Sequence, residues 1–188
     1  MNKVYTSNYN CCKFGNMISI SGDRGKRENF TGKTLQVLAP KREFWNIWHD
    51  NIGKISQYEN ARYYIEQYYK QVLSKIDIEQ ILKDEIDPIL LCYESSSEFC
   101  HRHIIAEYIN IMFGIEVYEI EIDENLKVKY NARPEYIRDI LIEVIEKSWY
   151  IKYQLFLVTH TGIEPMIRPW EGRVLTAWPM GLYYRCLP

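Results

Sequence analysis

The stretch Pro88-Ile89-Leu90-Leu91-Cys92-Tyr93-Glu94-Ser95-Ser96-Ser97-Glu98-Phe99-Cys100-His101-Arg102-His103, running directly into Ile104-Ile105-Ala106-Glu107-Tyr108-Ile109, constrains the fold more than any other. Its branched apolar run reads as a buried strand, its serines as a turn, and the residues from Phe99 as the opening of a largely apolar helix. Pro88 suits the first position of that strand, because a proline further in would remove a ladder donor. The order strand, polar loop, helix gathers two cysteines, two histidines and an arginine around the carboxyl end of a strand, where parallel α/β proteins bind small molecules.

The rest of the chain supplies what such a unit needs. Residues 4–7 and 17–21 read as two earlier strands, and residues 35–38 as a short extended segment. Pro40 suits a helix start, and an apolar stripe of Tyr64, Ile65, Tyr68, Tyr69, Val72 and Leu73 predicts a helix over 61–76. Asp77 is placed to cap a further short helix, and Gly114 to end the helix that begins near Phe99. Residues 115–122 alternate like a half-exposed strand whose acidic residues face solvent, and residues 127–130 extend the sheet. Pro134 opens a last helix ending near Lys147. The fold class expected is α/β: three layers, a mostly parallel sheet with flanking helices, Rossmann-like in the broad sense. Residues 1–148 form that domain, and 149–188, with scattered aromatics, glycines and prolines, are expected to be an irregular tail.

A chain of 188 residues is long enough for one domain with a sizeable core. A formal charge of -2, from 23 basic and 25 acidic residues, excludes nucleic-acid binding driven by overall charge, although a local basic patch stays open. Apart from packing, the 16 tyrosines could form a stacking surface for rings. There is no uninterrupted apolar run of membrane-spanning length and no apolar targeting stretch at residues 1–5, so a cytoplasmic protein without a membrane partner is expected. The five cysteines (11, 12, 92, 100 and 186) form no regular disulfide framework. Cys92, Cys100, His101 and His103 crowd together, but their spacing fits none of the common paired-ligand zinc arrangements, and neither a metal nor a cofactor is expected.

At the predicted helix start, unpaired amides and Arg102 favour an anion, and Arg102 could instead pair with Glu94 or Glu107. Cys100 could be a nucleophile or redox thiol with a lowered pKa, or a small buried residue between strand and helix. Cys92 reads as core packing that could also approach Cys100 and form a reversible pair. His103 lies one turn from both Cys100 and Glu107, so a Cys100, His103, Glu107 line could move a proton. His101 projects toward a ligand phosphate or caps neighbouring loops, and Glu94 is the alternative general base. A tyrosine-phosphatase loop is excluded, because Glu98 and Ala106 stand where its arginine would follow Cys92 or Cys100. Residues 22–33, with Arg24, Lys26, Arg27 and Lys33 among three glycines, form a polar loop able to meet an anion; they lack the Walker ending. Tyr5, Ser7 and Tyr93 are further candidate ligand contacts.

Together these residues resemble the DUF488 family, in particular its small single-domain bacterial and phage members. The resemblance rests on Val4-Tyr5-Thr6-Ser7, Ile18-Ser19-Ile20-Ser21-Gly22 and Leu38-Ala39-Pro40 with the aromatic helix after it. It rests most on Leu90-Leu91-Cys92-Tyr93-Glu94 with Phe99-Cys100-His101-Arg102-His103, leading to Ala106-Glu107 and Gly114-Ile115. It spans residues 3–147 and implies a compact α/β domain with a pocket at the cysteine-histidine-arginine motif, without implying a particular reaction. Here Ser95-Ser96-Ser97-Glu98 replaces a linker richer in lysine, proline and glycine. In the tail, Thr159-His160-Thr161-Gly162-Ile163-Glu164-Pro165 and Leu175-Thr176-Ala177-Trp178-Pro179 resemble translated transfer-RNA gene sequence, as at an insertion boundary of a mobile element.

Three functions fit these readings. The first is an enzyme that binds a nucleotide or another phosphorylated metabolite, with glycosidic-bond chemistry at Glu94 as one reaction. The second is a nonenzymatic module for nucleic acid or nucleotides. The third is a cysteine-dependent redox enzyme.

Overall fold

The protein is described by a computed structural model over residues 3–161, with side chains over 3–153. Strands β1 (Tyr5–Asn8), β2 (Asn16–Ser19), β3 (Lys33–Thr34), β4 (Pro88–Cys92), β5 (Tyr118–Ile122) and β6 (Val128–Asn131) form one sheet in the order β3-β2-β4-β1-β5-β6. All neighbours are parallel except β5 and β6. Helices α1 (Arg42–Asp50), α2 (Gln57–Gln71), α3 (Ile78–Leu82), α4 (His101–Phe113) and α5 (Tyr136–Thr161) flank it. The fold is thus the three-layer, mostly parallel, Rossmann-like α/β arrangement expected.

The layers are unequal. One core joins Val4, Ile18, Ile20 and Leu90 of the sheet to buried residues of all five helices, such as Phe44, Ile65, Leu82, Ile105 and Ile140. The opposite face carries a smaller cluster of Tyr9, Cys12, Ile89, Leu91 and Ile120, with Tyr5, Met17, Phe30, Tyr93 and Ile122 around it. Among the described residues, no helix supplies that second cluster. Its cover is residues 9–15, which leave the carboxyl end of β1 and reach the amino end of β2, with β4 lying between the two strands. β4 takes the central place because all five of its residues are buried, and a strand covered on both faces reads as a continuous apolar run.

Local chemistry sets the boundaries. α2 starts at Gln57, four residues before the expected start at residue 61, because Ser56 and Glu59 form a capping box. Asp77 caps α3 through the Gln80 amide, and Gly114 ends α4 in the left-handed region at φ 67°. Residues 36–38 form a 3-10 turn where an extended segment was expected, and the pairing with β2 falls on Lys33–Thr34 instead. The last helix does not stop near Lys147 but continues to Thr161. The chain divides into two units at Trp149 and Tyr150. The first carries the sheet, and the second is described only to Thr161, so most of the expected irregular tail, from residue 162 to 188, lies outside the described residues. No helix among the described residues is long and apolar enough to cross a membrane.

Gly15 ends the covering segment at φ 100°, and a Cβ there would stand 2.8 Å from Ile89 Cδ1. The Ile89 side chain can yield, but the backbone conformation cannot be kept cheaply by a residue with a Cβ. Gly15→Ala is therefore expected to cost about 1–3 kcal/mol in urea unfolding. Gly22→Ala, where nothing lies within 4 Å of an added Cβ, should change stability by less than about 0.5 kcal/mol.

Candidate functional site

The site forms where β4 ends. Cys92 is its last residue, the chain loops out through residues 93–99, and α4 brings it back beginning at His101. Cys100 is the residue before the helix, with extended dihedrals (φ -150°, ψ 147°) and no side-chain capping bond. Phe99 fixes the return point. Its ring lies edge-on to Tyr64 at 5.2 Å and against Trp48 at 5.7 Å, joining α1 and α2 to the start of α4.

Three donor atoms converge there. Cys92 Sγ, Cys100 Sγ and His101 Nδ1 all lie within 4.8 Å of one another, and all three residues are buried. His101 Nδ1 is 3.7 Å from Cys92 Sγ and 3.9 Å from Cys100 Sγ, while Nε2 meets the Ile20 carbonyl at 3.0 Å. A carbonyl only accepts, so Nε2 bears the hydrogen and, in the neutral ring, the Nδ1 lone pair faces the sulfurs. Tyr68 holds the imidazole edge-on at 5.8 Å.

Cys100 Sγ also lies 2.9 Å from Glu94 Oε2. Burial, and then the neighbouring Cys100, push the Glu94 carboxyl up to about 7. Burial also raises the Cys100 thiol, but the Cys92 hydrogen bond and the charges of Arg102 and His101 outweigh it and hold Cys100 well below the usual thiol range. Burial and the Cys100 contact drive Cys92 the other way, well above that range. A proton between Cys100 and Glu94 therefore belongs to the pair, as thiol with carboxylate or thiolate with carboxylic acid.

Arg102 is engaged within the protein. It is fully buried and binds Glu119 of β5 through Nε at 3.2 Å and Nη2 at 3.0 Å, and Nη2 also donates to the Ser95 carbonyl at 2.9 Å. This is an ion pair, but its partner is neither Glu94 nor Glu107. His103 is equally buried, with Nε2 3.5 Å from the other Glu119 oxygen. The Cys100, His103, Glu107 line does not form. Cys100 precedes the helix and so is not on its stripe, and Glu107 is held by Arg133 at 2.7 Å and Arg138 at 3.0 Å.

Of the other candidates, Ser7 is buried and donates to the Ile120 carbonyl at 2.6 Å, a strand-to-strand role. Tyr5 lines a cavity of about 410 Å³ bordered by Ile89, Ile120 and Tyr130, on the face away from α4. Arg24 and Lys26 are exposed on the loop after Ser21. That loop is closed on itself: Gly25 N donates to Ser21 Oγ at 2.8 Å and Asp23 Oδ1 at 3.0 Å, so this amide does not offer itself to a phosphate. Tyr93 donates to Asp23 at 2.7 Å, with Arg27 5.3 Å above its ring.

Residues 10–112 match the family model DUF488-N3a, described as the active DUF488-N3 subclade, which is more than half of the chain. The chain belongs to the DUF488 family. No curated protein and no solved structure matches it. The DUF488 match holds Cys92, Glu94, Cys100, His101 and Arg102 and stops before Glu119, so the partner of the buried arginine comes from outside the matched interval.

Glu119 was expected in solvent with the other acidic residues of its strand, and the structure buries it against Arg102 instead. Val117, Glu119 and Glu121 alternate with Tyr118, Ile120 and Ile122, so neither face is cleanly apolar. The available signal was Arg102 itself, since an arginine on an apolar helix needs a buried counter-ion. Glu119→Gln leaves that charge unmatched and is expected to cost about 3–5 kcal/mol. Burial raises the Glu119 carboxyl, but His103 and Arg102 bring it down to about 2, below the ordinary 4.5. Its contribution is thus complete above about pH 4.5 and is lost as pH falls toward 2. Urea midpoints should fall over that interval, and fall less in Glu119→Gln.

Proposed function

We propose that this DUF488 domain is a cysteine-dependent redox enzyme acting on a disulfide substrate. Cys100 is the attacking thiolate, Cys92 the resolving thiol and Glu94 the group that exchanges their protons. The observation that carries this reading is the 2.9 Å contact of Cys100 Sγ with the Glu94 carboxylate, beside a second buried thiol. Its setting supports it: a residue directly before a helix, flanked by the Arg102 cation, is where thiolates are stabilised. The description of the matched subclade as active is in keeping with catalysis.

The cycle balances as follows. The Cys100 thiolate attacks one substrate sulfur, the substrate S–S bond breaks, and the departing thiolate takes the Glu94 proton. Cys92 then gives its proton to Glu94 and attacks the Cys100 sulfur, expelling the second substrate thiolate and leaving a Cys92–Cys100 disulfide. The substrate gains two electrons, and an external dithiol returns them to the protein. A reducing cytoplasm is the compartment this cycle requires.

A phosphorylated small molecule, or nucleic acid, is a second reading, favoured by the exposed Arg24 and Lys26 and by Arg27 over Tyr93. It has lost its principal cation, because Arg102 is engaged by Glu119.

Iodoacetamide labelling of metal-free protein at pH 7, read by peptide mass spectrometry, tests the thiol assignment. Cys100 should react at least about tenfold faster than Cys92 or Cys12. Glu94→Gln should keep that labelling yet lose about a hundredfold or more in reduction of a small disulfide, since the proton donor is gone. Slow labelling of Cys100, or full turnover by Cys100→Ser, would end the proposal.

A further inference from the structure

We infer that Cys92, Cys100 and His101 also form a binding site for one thiophilic divalent ion of the zinc type, which silences the thiols while it is held. The inference rests on the same cluster as the thiol reading but not on any redox step.

Geometry carries it. A tetrahedral zinc ion with sulfur at about 2.3 Å and nitrogen at about 2.0–2.1 Å has sulfur-to-nitrogen edges of roughly 3.6 Å. The two sulfur-to-nitrogen edges here are 3.7 and 3.9 Å, within a few tenths of an ångström of that value, and the two sulfurs lie within 4.8 Å of each other. The imidazole is also set as a ligand. Its Nε2 hydrogen is fixed on the Ile20 carbonyl at 3.0 Å, which leaves Nδ1 as the acceptor facing both sulfurs. A second hydrogen bond of this kind orients most metal-bound histidines and raises their basicity.

The donor chemistry is selective. Two sulfurs and one imidazole suit zinc, whereas magnesium and calcium take oxygen ligands. Two thiolates would match the ion's charge. Three protein ligands leave a fourth position, and the Glu94 carboxylate lies 2.9 Å from one of the three, Cys100. A set with only three fixed ligands is an exchangeable site rather than a closed structural one. The lack of a common paired-ligand spacing, which argued against zinc in the sequence, does not rule it out in the fold, because the first sulfur comes from a strand end and only the histidine from the helix.

The test uses reduced full-length protein titrated with Co²⁺ and then Zn²⁺. One Co²⁺ per chain should bind with thiolate-to-cobalt charge transfer and tetrahedral ligand-field intensity, and one equivalent of Zn²⁺ should displace it. Zn²⁺ should protect Cys92 and Cys100 from iodoacetamide and leave Cys11 reactive. Cys92→Ser and His101→Ala should each weaken binding by about tenfold or more. A variant with Cys11, Cys12 and Cys186 all changed to serine should still bind one ion, and it decides the matter if Cys92→Ser does not fold by circular dichroism. No ion bound at one equivalent, unchanged affinity in Cys92→Ser, or loss of binding in the triple variant would overturn the inference. Labelling without metal is read separately, so fast Cys100 labelling without zinc binding sinks only this inference. Zinc binding with slow labelling sinks only the thiol reading.

Discussion

The contact on which the site depends is the ion pair between Arg102 and Glu119, neither of which touches solvent appreciably. Removing a guanidinium and a carboxylate from water costs several kcal/mol for each ion, and only close, directed bonding recovers it. Here the recovery comes from one helix and one strand, since Arg102 lies in the first turn of α4 and Glu119 in the middle of β5. The same guanidinium reaches the Ser95 carbonyl, so the loop leaving β4 is tied to the same point. The network is incompletely satisfied. Arg102 Nη1 and His103 Nδ1 are buried without a hydrogen-bond partner and His103 Nε2 has only a long 3.5 Å contact with Glu119, so this small region carries a desolvation penalty. A fold keeps such a penalty where the arrangement it enforces matters more than stability.

What it enforces is the position of one residue. With α4 locked by Arg102 and the preceding loop held at Ser95, Cys100 must stand at the mouth of β4 beside Cys92. The aromatic wall completes the constraint from the opposite side. Tyr68 meets His101, Tyr64 meets Phe99, and the Tyr68 hydroxyl is itself anchored on the Leu38 carbonyl at 2.5 Å. These tyrosines act through packing with a satisfied hydroxyl, and not as a surface for stacking bases. Little rotational freedom remains to the imidazole or the second sulfur, and preorganisation of this kind lets a buried polar group act without reordering its surroundings.

Much of this was legible along the chain, and the limit of legibility is physical. The strand, loop and helix over residues 88–113 follow from local pattern alone, as do the Asp77 cap and the Gly114 stop. The Ser56 and Glu59 capping box was also there to be read, and an apolar stripe starting later obscured it. Tertiary choice was not legible. Helical spacing put Glu107 one turn from His103, yet Arg133 and Arg138 claim Glu107 while His103 stands by Glu119. Arg102 and Glu119 are 17 residues apart on elements of different periodicity, so no single-period reading joins them. The length of α5 escaped for another reason: aromatic residues past Lys147 spoil a stripe without stopping a helix.

The cluster's two proposed roles exclude each other, and the exclusion follows from the proton. In the metal-free site Cys100 shares one proton with Glu94, so the sulfur can bear charge inside the fold without the carboxylate doing so as well. Burial first, and then repulsion from Cys100 at 2.9 Å, push the Glu94 carboxyl up, while Cys92, Arg102 and His101 hold the thiol down. A divalent ion removes the need for that compromise, since its charge can hold both sulfurs deprotonated and leaves Glu94 to ionise on its own terms. The thiolate is therefore favoured while the Glu94 side chain is neutral. Glu94 sets both the reactivity of Cys100 and the ease with which an ion replaces that proton, a coupling built by one short contact at the end of the central strand.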